Sequence, residues 1–386
     1  MIVPICKHFG ICGGCLYQDI PYDRQLDLKK SEALGLLENK NIYIGEFLGI
    51  EGSDKLTGYR NKMEYTFGDE FKGGEMTLGM HKKKHYMSIV TIDECLIVDD
   101  DFNRIVASTL EFFKEMAYSQ YNKKSHAGFQ RNLIVRKGER TGELLVNLVT
   151  TSQGKLAADL FIDRLLHLEL QNRIVGIIHT INDSISDFVY ADRMDILYGK
   201  DHYMEEISGL RFKVSAFSFF QTNVPAIEKL YDTALGFIDE LRNATVFDLY
   251  SGTGTIAQTA ARKAGTVYGF ELVDEAVQAA RMNTAMNGLD NCFFEAGDVL
   301  DTLQKIEEKP DVIIVDPPRA GIHPKTLNKI LNYRVKQIIY ISCNPKTLAE
   351  NLAVMQDFGY RAEKLKLFDN FPHTKHIEAA VGLRLE

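Results

Sequence analysis

No stretch of this chain carries the roughly 18 consecutive apolar residues of a membrane span, and Met1-Ile2-Val3-Pro4 leads into Cys6 without a signal-peptide pattern. A cytoplasmic protein with no membrane partner is the expectation. Basic residues are not in excess either: 45 Lys and Arg stand against 53 Asp and Glu, a net charge of -8. That excludes a protein that coats nucleic acid by general electrostatics, so an RNA or DNA partner has to meet a local basic surface. The candidate is His81-Lys82-Lys83-Lys84-His85, supported by Lys123, Lys124, Arg131, Arg136, Lys137 and Arg140. The plain alternative is a solvated charged face. Internal repeats and low-complexity linkers are also missing. With 386 residues, the chain exceeds the length at which one core usually divides, so two or three domains are expected.

Cysteine is scarce, six in all, and three of the six fall within ten residues: Cys6, Cys12 and Cys15, with Cys95 alone much later. A reducing compartment disfavours disulfides, and four thiols that converge suit zinc or an iron–sulfur cluster equally well by count. Gly13 and Gly14 permit the tight turn that points two sulfurs at one centre. Unliganded thiols are the alternative.

Tyr22 to Lys40 reads as an amphipathic helix, with Leu26, Leu28, Ala33, Leu34, Leu36 and Leu37 among charged residues. From about Ile50 to Ile207, strand-like runs (Lys62 to Phe67, Leu133 to Arg136, Leu144 to Thr150) accompany two helical stretches, Asp100 to Ala117 and Leu156 to Leu170. This is an α+β pattern, with a hairpin loop at Gly138 to Gly142. After about Asn223, strands alternate regularly with helices: Thr245 to Tyr250, Thr266 to Glu271, Cys292 to Glu295, Asp311 to Val315, Gln337 to Ile341 and Arg361 to Leu367. That rhythm predicts a doubly wound, Rossmann-like α/β sheet.

The chemistry concentrates at strand ends of that sheet. Tyr250-Ser251-Gly252-Thr253-Gly254-Thr255 follows the first strand, and Glu271 closes the second, where a carboxylate can accept from ribose hydroxyls. The loop lacks the third glycine of the dinucleotide fingerprint, which points to an adenosine cofactor without pyrophosphate, S-adenosylmethionine. Asp298, after the third strand, is placed to reach the adenine; helix capping is the alternative role for these acids. Asp316-Pro317-Pro318-Arg319-Ala320-Gly321 follows the fourth strand, its prolines holding the loop extended. Asp-Pro-Pro also occurs in enzymes that methylate amines, which have an aromatic residue where Arg319 stands. Ser342-Cys343-Asn344-Pro345 lies where a strand yields to a helix, with Asn344 as cap and Pro345 in the first turn. A sulfur beside the positive end of a helix is expected to ionise near neutral pH and act as a nucleophile. Glu378, in an otherwise apolar final strand, gains basicity from desolvation. With Cys343 it reads as nucleophile and base.

These residues, in this order, resemble the RNA uracil-C5 methyltransferases that use S-adenosylmethionine. The likeness spans nearly the whole chain, including Phe217 to Asn223 and Phe371-Pro372-His373-Thr374. It implies that Cys6, Cys12, Cys15 and Cys95 hold a [4Fe-4S] cluster. It also implies that Cys343 adds to uracil C6, that Glu378 removes the C5 proton, and that Gln221, Tyr250, Thr255, Glu271, Asp298 and Asp316 line the cofactor and uracil pocket. Phe219 or Phe220 is placed to stack a flipped base. Thr255 stands where some relatives have asparagine. Many relatives also begin with a small RNA-binding β-barrel, whereas the cluster cysteines here start at residue 6. The implied layout is an iron–sulfur segment (1–17), a helical segment packing on the catalytic domain (18–49), a central α+β RNA-binding domain (50–215) and a methyltransferase domain (216–386). The implied substrate is 23S ribosomal RNA, with transfer RNA as the near alternative and no protein partner indicated. From another class, an iron–sulfur RNA-binding or sensing protein with a relic fold is the competing reading, and amine methylation a third.

Overall fold

The computed structural model describes residues 2–185, 191–303 and 306–386. Helix α1 (Tyr22–Glu38) leads to strand β1 (Ile44–Glu51). Then come β2 (Lys62–Asp69), β3 (Met76–Lys82), β4 (His85–Thr91), α2 (Asp100–Glu115), β5 (Gln130–Lys137), β6 (Glu143–Thr150), α3 (Ala158–Leu166), β7 (Arg173–Ile181), β8 (Arg193–Gly199) and β9 (His202–Ile207). The remainder runs β10 (Leu210–Ser215), α4 (Val224–Gly236), β11 (Thr245–Leu249), α5 (Thr255–Ala261), β12 (Thr266–Glu271), α6 (Asp274–Met286), β13 (Cys292–Ala296) and α7 (Val299–Thr302). It ends with β14 (Val312–Val315), α8 (Pro324–Asn332), β15 (Gln337–Ser342), α9 (Pro345–Asp357), β16 (Tyr360–Phe368) and β17 (Glu378–Leu385). Among the described residues, no helix is long and apolar enough to cross a membrane.

The chain forms two compact units. The first comprises Met1–Pro21, Lys55–Glu206 and Lys213–Phe217. Its seven-stranded sheet runs β4-β3-β2-β5-β6-β7-β8, antiparallel except where β6 meets β7. Strands β5 and β6 are almost wholly buried, and α2 contributes Phe102, Ile105, Val106, Phe112 and Phe113 to the core. Asp99 caps α2, accepting from the Asp101 N–H at 3.1 Å. The basic surface expected from the sequence is smaller than the spacing suggested. Arg131, Arg136 and Lys137 are buried, Arg131 bonded to Asn182 and Lys137 paired with Asp99 at 2.7 Å. Their strands are covered on both faces, so these cations serve the fold.

The second unit comprises Tyr22–Asp54, Ile207–Phe212 and Ser218–Glu386. Its eight-stranded sheet runs β1-β16-β17-β15-β14-β11-β12-β13. All neighbours are parallel except β17, which enters antiparallel between β15 and β16. Short apolar strands without alternation follow from burial on both faces: Phe247, Leu249, Ile313, Val315, Ile338 and Tyr340 are fully enclosed. The order reverses between β11 and β14, and the carboxyl ends of β11, β12, β14 and β15 open on one edge. Because β17 runs the other way, its first residue reaches that same edge. Helix α1 belongs to this unit, burying Gln25, Lys29, Ala33 and Leu37, one face at a four-residue spacing.

Candidate active site

The register of β15 and β17 brings the two reactive residues together. Ser342 pairs with Ala379, so one step further Cys343 lies opposite Glu378, which itself pairs with Phe368. Cys343 is half-buried and Glu378 buried. The turn is fixed locally: the Ser342 hydroxyl donates to Asn344 O at 3.1 Å, and the Asn344 side chain accepts from the Lys346 N–H at 3.2 Å, capping α9. The Asn344 amide also donates to Arg319 O at 2.8 Å, clamping the Asp-Pro-Pro-Arg loop to the cysteine turn. That loop ends at Gly321, whose φ of 77° only glycine adopts without strain. Asp316 therefore joins Cys343 and Glu378 in one group of three.

The electrostatics differ from the sequence expectation. Burial pushes the Cys343 thiol up to about 11, Glu378 and Asp316 push the same way, and the Arg319 guanidinium opposes them. Strands β14 and β17, distant in sequence, bring the two carboxyls to the sulfur, and burial together with them outweighs the start of α9. Burial also raises Asp316 to about 7. Glu378 rises well above the ordinary carboxylate range, first by burial, then by Asp316, with Arg319 opposing. The Arg319 guanidinium donates to His376 Nδ1 at 2.6 Å, which holds it at the rim of this group.

Beside this group lies the glycine loop. Tyr250 takes φ 67°, strained for a residue with a side chain, and Gly252 and Gly254 take 55° and 81°. A Cβ on Gly254 would come within 2.5 Å of the Phe294 ring, whereas Gly252 faces open space. Glu271 accepts from the Gly252 and Val273 N–H groups, both at 3.0 Å, and so braces the loop; a carboxylate has lone pairs left for ribose hydroxyls. The Gln221 amide donates to the Tyr231 hydroxyl at 3.2 Å, which meets Thr255 Oγ1 at 3.0 Å, joining two of the expected pocket residues through a third. Asn223 caps α4. Asp298 helps push the Tyr250 hydroxyl up to about 12, after burial, which puts these two in one neighbourhood.

Two groups had escaped the sequence reading. Asp248, fully buried on β11, is raised well above its usual range by burial and then by Asp316, with the Ala257 N–H opposing. Its signal was an acid inside the apolar run Val246 to Leu249. The other is a buried ion pair behind the Phe371 to Thr374 turn: Lys29 of α1 donates to Asp369 at 2.6 Å and to Phe371 O at 3.1 Å, both side chains inaccessible. Gln25 adds bonds to the His373 main chain at 3.0 Å and ring at 3.2 Å. Together they hold the segment that feeds Glu378 into β17.

In the first unit, Cys6, Cys12, Cys15 and Cys95 line one cavity, with Met63 and Met80 among its apolar walls. Asn103 of α2 fixes Cys95, accepting from its N–H at 2.8 Å and donating to its carbonyl at 3.3 Å. Among the described residues, no three His, Cys, Asp or Glu side chains close on a point that would hold a single metal ion.

Comparison with known proteins bears on the site of the second unit. Residues 299–386, which include Asp316, Cys343 and Glu378, match the family model described as tRNA (Uracil-5-)-methyltransferase, and residues 231–335 match that of a methyltransferase small domain. An uncharacterized RNA methyltransferase of Clostridium tetani is 50% identical over 379 residues, 98% of this chain and 83% of that protein. One from Listeria monocytogenes is 35% identical over 390 residues, covering 100% and 84%. The crystal structure of the Pyrococcus abyssi tRNA (uracil-54, C5)-methyltransferase with S-adenosyl-L-homocysteine superposes with a TM-score of 0.79 at 28% identity, covering 97% of this chain and 86% of that one. A paired cysteine and glutamate beside a glycine loop, on a sheet of this order and in a chain with these relatives, leave one conclusion: this chain belongs to the family of S-adenosylmethionine-dependent RNA (uracil-5-)-methyltransferases.

Proposed function

We propose that this enzyme methylates C5 of a specific uridine in 23S ribosomal RNA, with Cys343 as nucleophile and Glu378 as base. The observation that carries the reading is the antiparallel register that sets Cys343 opposite Glu378. Uracil C5 is too weak a nucleophile to be methylated unaided. Cys343 forms a bond to C6, which turns C5 into an enolate-like carbon that takes the methyl group. S-adenosylmethionine, when bound, supplies that methyl on a sulfonium centre, and leaves as S-adenosylhomocysteine. Glu378 then takes the C5 proton, the C5–C6 double bond reforms, and the C6–S bond breaks to return the thiolate. Asp316, titrating near neutrality beside both groups, is suited to hold the proton that Cys343 gives up. Gln221, Tyr250, Thr255, Glu271 and Asp298 would surround the cofactor. Reaching the base requires it to be flipped out of its stack, and Phe219, 74% exposed, is placed to stack on it.

Transfer RNA is the second reading, favoured by the matched family description and by the substrate named for the Pyrococcus protein. The four-cysteine cavity favours ribosomal RNA, since the resemblance associates cluster-bearing bacterial members with that substrate. The two are separated by incubating the enzyme and cofactor with mixed ribosomal and transfer RNA carrying 5-fluorouridine. Fluorine cannot leave C5 as a proton, so the enzyme stalls as a covalent adduct through Cys343, and the sequence of the attached RNA identifies the substrate. No adduct on either RNA, with cofactor bound, rules out the mechanism.

We further assign a [4Fe-4S] cluster to Cys6, Cys12, Cys15 and Cys95. Four thiols line one cavity, and the resemblance to cluster-bearing uracil-C5 methyltransferases favours a cubane over a single zinc ion. With each iron held by one cysteine, no iron would be open to substrate, which favours a structural role. Protein purified without oxygen is expected to carry iron and acid-labile sulfide in equal amounts, and Cys95→Ser to lose most of both. Stoichiometric zinc in the wild type would overturn the assignment.

A further inference from the structure

The cysteine loop is tied to the one lysine run of the chain. Its main chain lies along the tip of the β3–β4 hairpin: the Gly13 N–H donates to His81 O at 3.0 Å, the Lys83 N–H donates to Ile11 O at 2.7 Å, and Cys12 forms an antiparallel bridge with Lys82. The hairpin tip is thereby held from one side by the loop that carries three of the cysteines. Lys84, exposed, makes the turn with φ 66°.

What the tip presents is an aromatic ring among cations. Tyr86 is 57% exposed, and its ring stacks on His81 with centroids 4.5 Å apart and planes 8° from parallel. The His81 ring is locked in place by donating from Nδ1 to Tyr86 O at 2.5 Å. Lys123, from a neighbouring turn, rests its Nζ 4.6 Å from the Tyr86 centroid, with Lys124 exposed beside it in sequence. Glu70 neutralises Lys82 at 2.7 Å, and Lys83, Lys84 and Lys124 add positive charge beside it in a chain whose net charge is -8. Alternating positive charge and an exposed ring is the pattern that binds single-stranded nucleic acid, phosphates on the lysines and a base on the ring.

We propose that the β3–β4 tip, with Tyr86 as its stacking residue and Lys83 and Lys84 as its phosphate contacts, is a docking surface for a single-stranded segment of the substrate RNA, braced by the cysteine loop. The proposal rests on the RNA methyltransferase reading and adds a surface by which substrate is held. The probe is a short fluorescein-labelled oligouridine, titrated against full-length protein over a range of salt concentrations. Tyr86→Ala is expected to weaken binding about tenfold. Lys83→Ala/Lys84→Ala is expected to lower the salt dependence of log K by about 0.7 to 0.9 for each lysine removed. Lys263→Ala, an exposed lysine of the other unit, should change neither. Cofactor affinity and thermal unfolding check that each variant is folded; should the double variant fail that check, Lys84→Glu alone provides the same test. Wild-type affinity and slope in the hairpin variants, or an equal loss in Lys263→Ala, would overturn the proposal. The wild type is assayed in parallel for the 5-fluorouridine adduct. An adduct with hairpin-independent binding sinks the docking surface alone, while hairpin-dependent binding without an adduct sinks the uracil reading and leaves the surface standing.

Discussion

Replacing Cys343 by alanine should lower methyl transfer by at least about 10⁴-fold, since removing the nucleophile of a covalent mechanism removes its first step. Adduct formation with 5-fluorouridine RNA should vanish, and cofactor affinity should stay within a few-fold of wild type because the glycine loop and Glu271 do not depend on the sulfur. Residual methylation at the wild-type rate would eliminate the covalent mechanism and revive amine methylation or methylation without addition. The raised thiol makes a second, kinetic demand. With a value of about 11, only about one Cys343 in several thousand is ionised near pH 7.5 in the free enzyme. Alkylation of Cys343 by iodoacetamide, without ligands, should therefore accelerate about tenfold for each pH unit between about 7 and 9. A plateau near pH 7 would mean that the field of α9 outweighs burial and the two carboxyls.

The catalytic half was legible because its signals are local. Apolar runs without alternation identify buried parallel strands, and the expected strands lie within about two residues of β11 to β16. Asn344 and Pro345 announced the start of α9, and glycines at 252 and 254 sit where φ is positive. What stayed hidden depends on residues far apart in sequence. The expectation of an easily ionised Cys343 considered only its own helix, while Asp316 and Glu378 arrive from β14 and β17. Helix α1 read as apolar on one side and solvated on the other, yet its buried stripe includes Gln25 and Lys29, because Asp369 and the Phe371 to Thr374 turn receive them. Arg131, Arg136 and Lys137 read as surface for the same reason: no local pattern reveals a partner such as Asn182 or Asp99. Strand β1 was missed because its half-buried residues show no clean period.

Glu378→Gln should uncouple the two halves of the reaction. The glutamine can neither accept the C5 proton nor hasten elimination, so turnover should fall by roughly 10²- to 10⁴-fold. Addition and methyl transfer remain possible. The enzyme should then accumulate as a covalent adduct with ordinary, unfluorinated RNA that already carries the methyl group, visible on a denaturing gel with label from the cofactor. Normal turnover would transfer the base role to Asp316, the other carboxyl in contact with the cysteine field. The same substitution has a signature in the unliganded protein. Glu378 is buried, and its folded-state value lies well above that of an unfolded glutamate. Between those two values the native state holds a proton that the unfolded state has released. The stability this group contributes is therefore complete below the unfolded value of about 4.3, and falls by about 1.4 kcal/mol per pH unit as pH rises toward the folded one. Glutamine does not titrate, so Glu378→Gln should flatten that decline, gaining on the wild type in thermal unfolding as pH rises from about 5 to 8 and losing the advantage near pH 4. A residue that makes the fold less stable at the pH where it works, and whose removal traps a methylated intermediate, is what a desolvated base predicts. A buried glutamate kept only for structure would share the pH-dependent stability but would not show the trapped adduct.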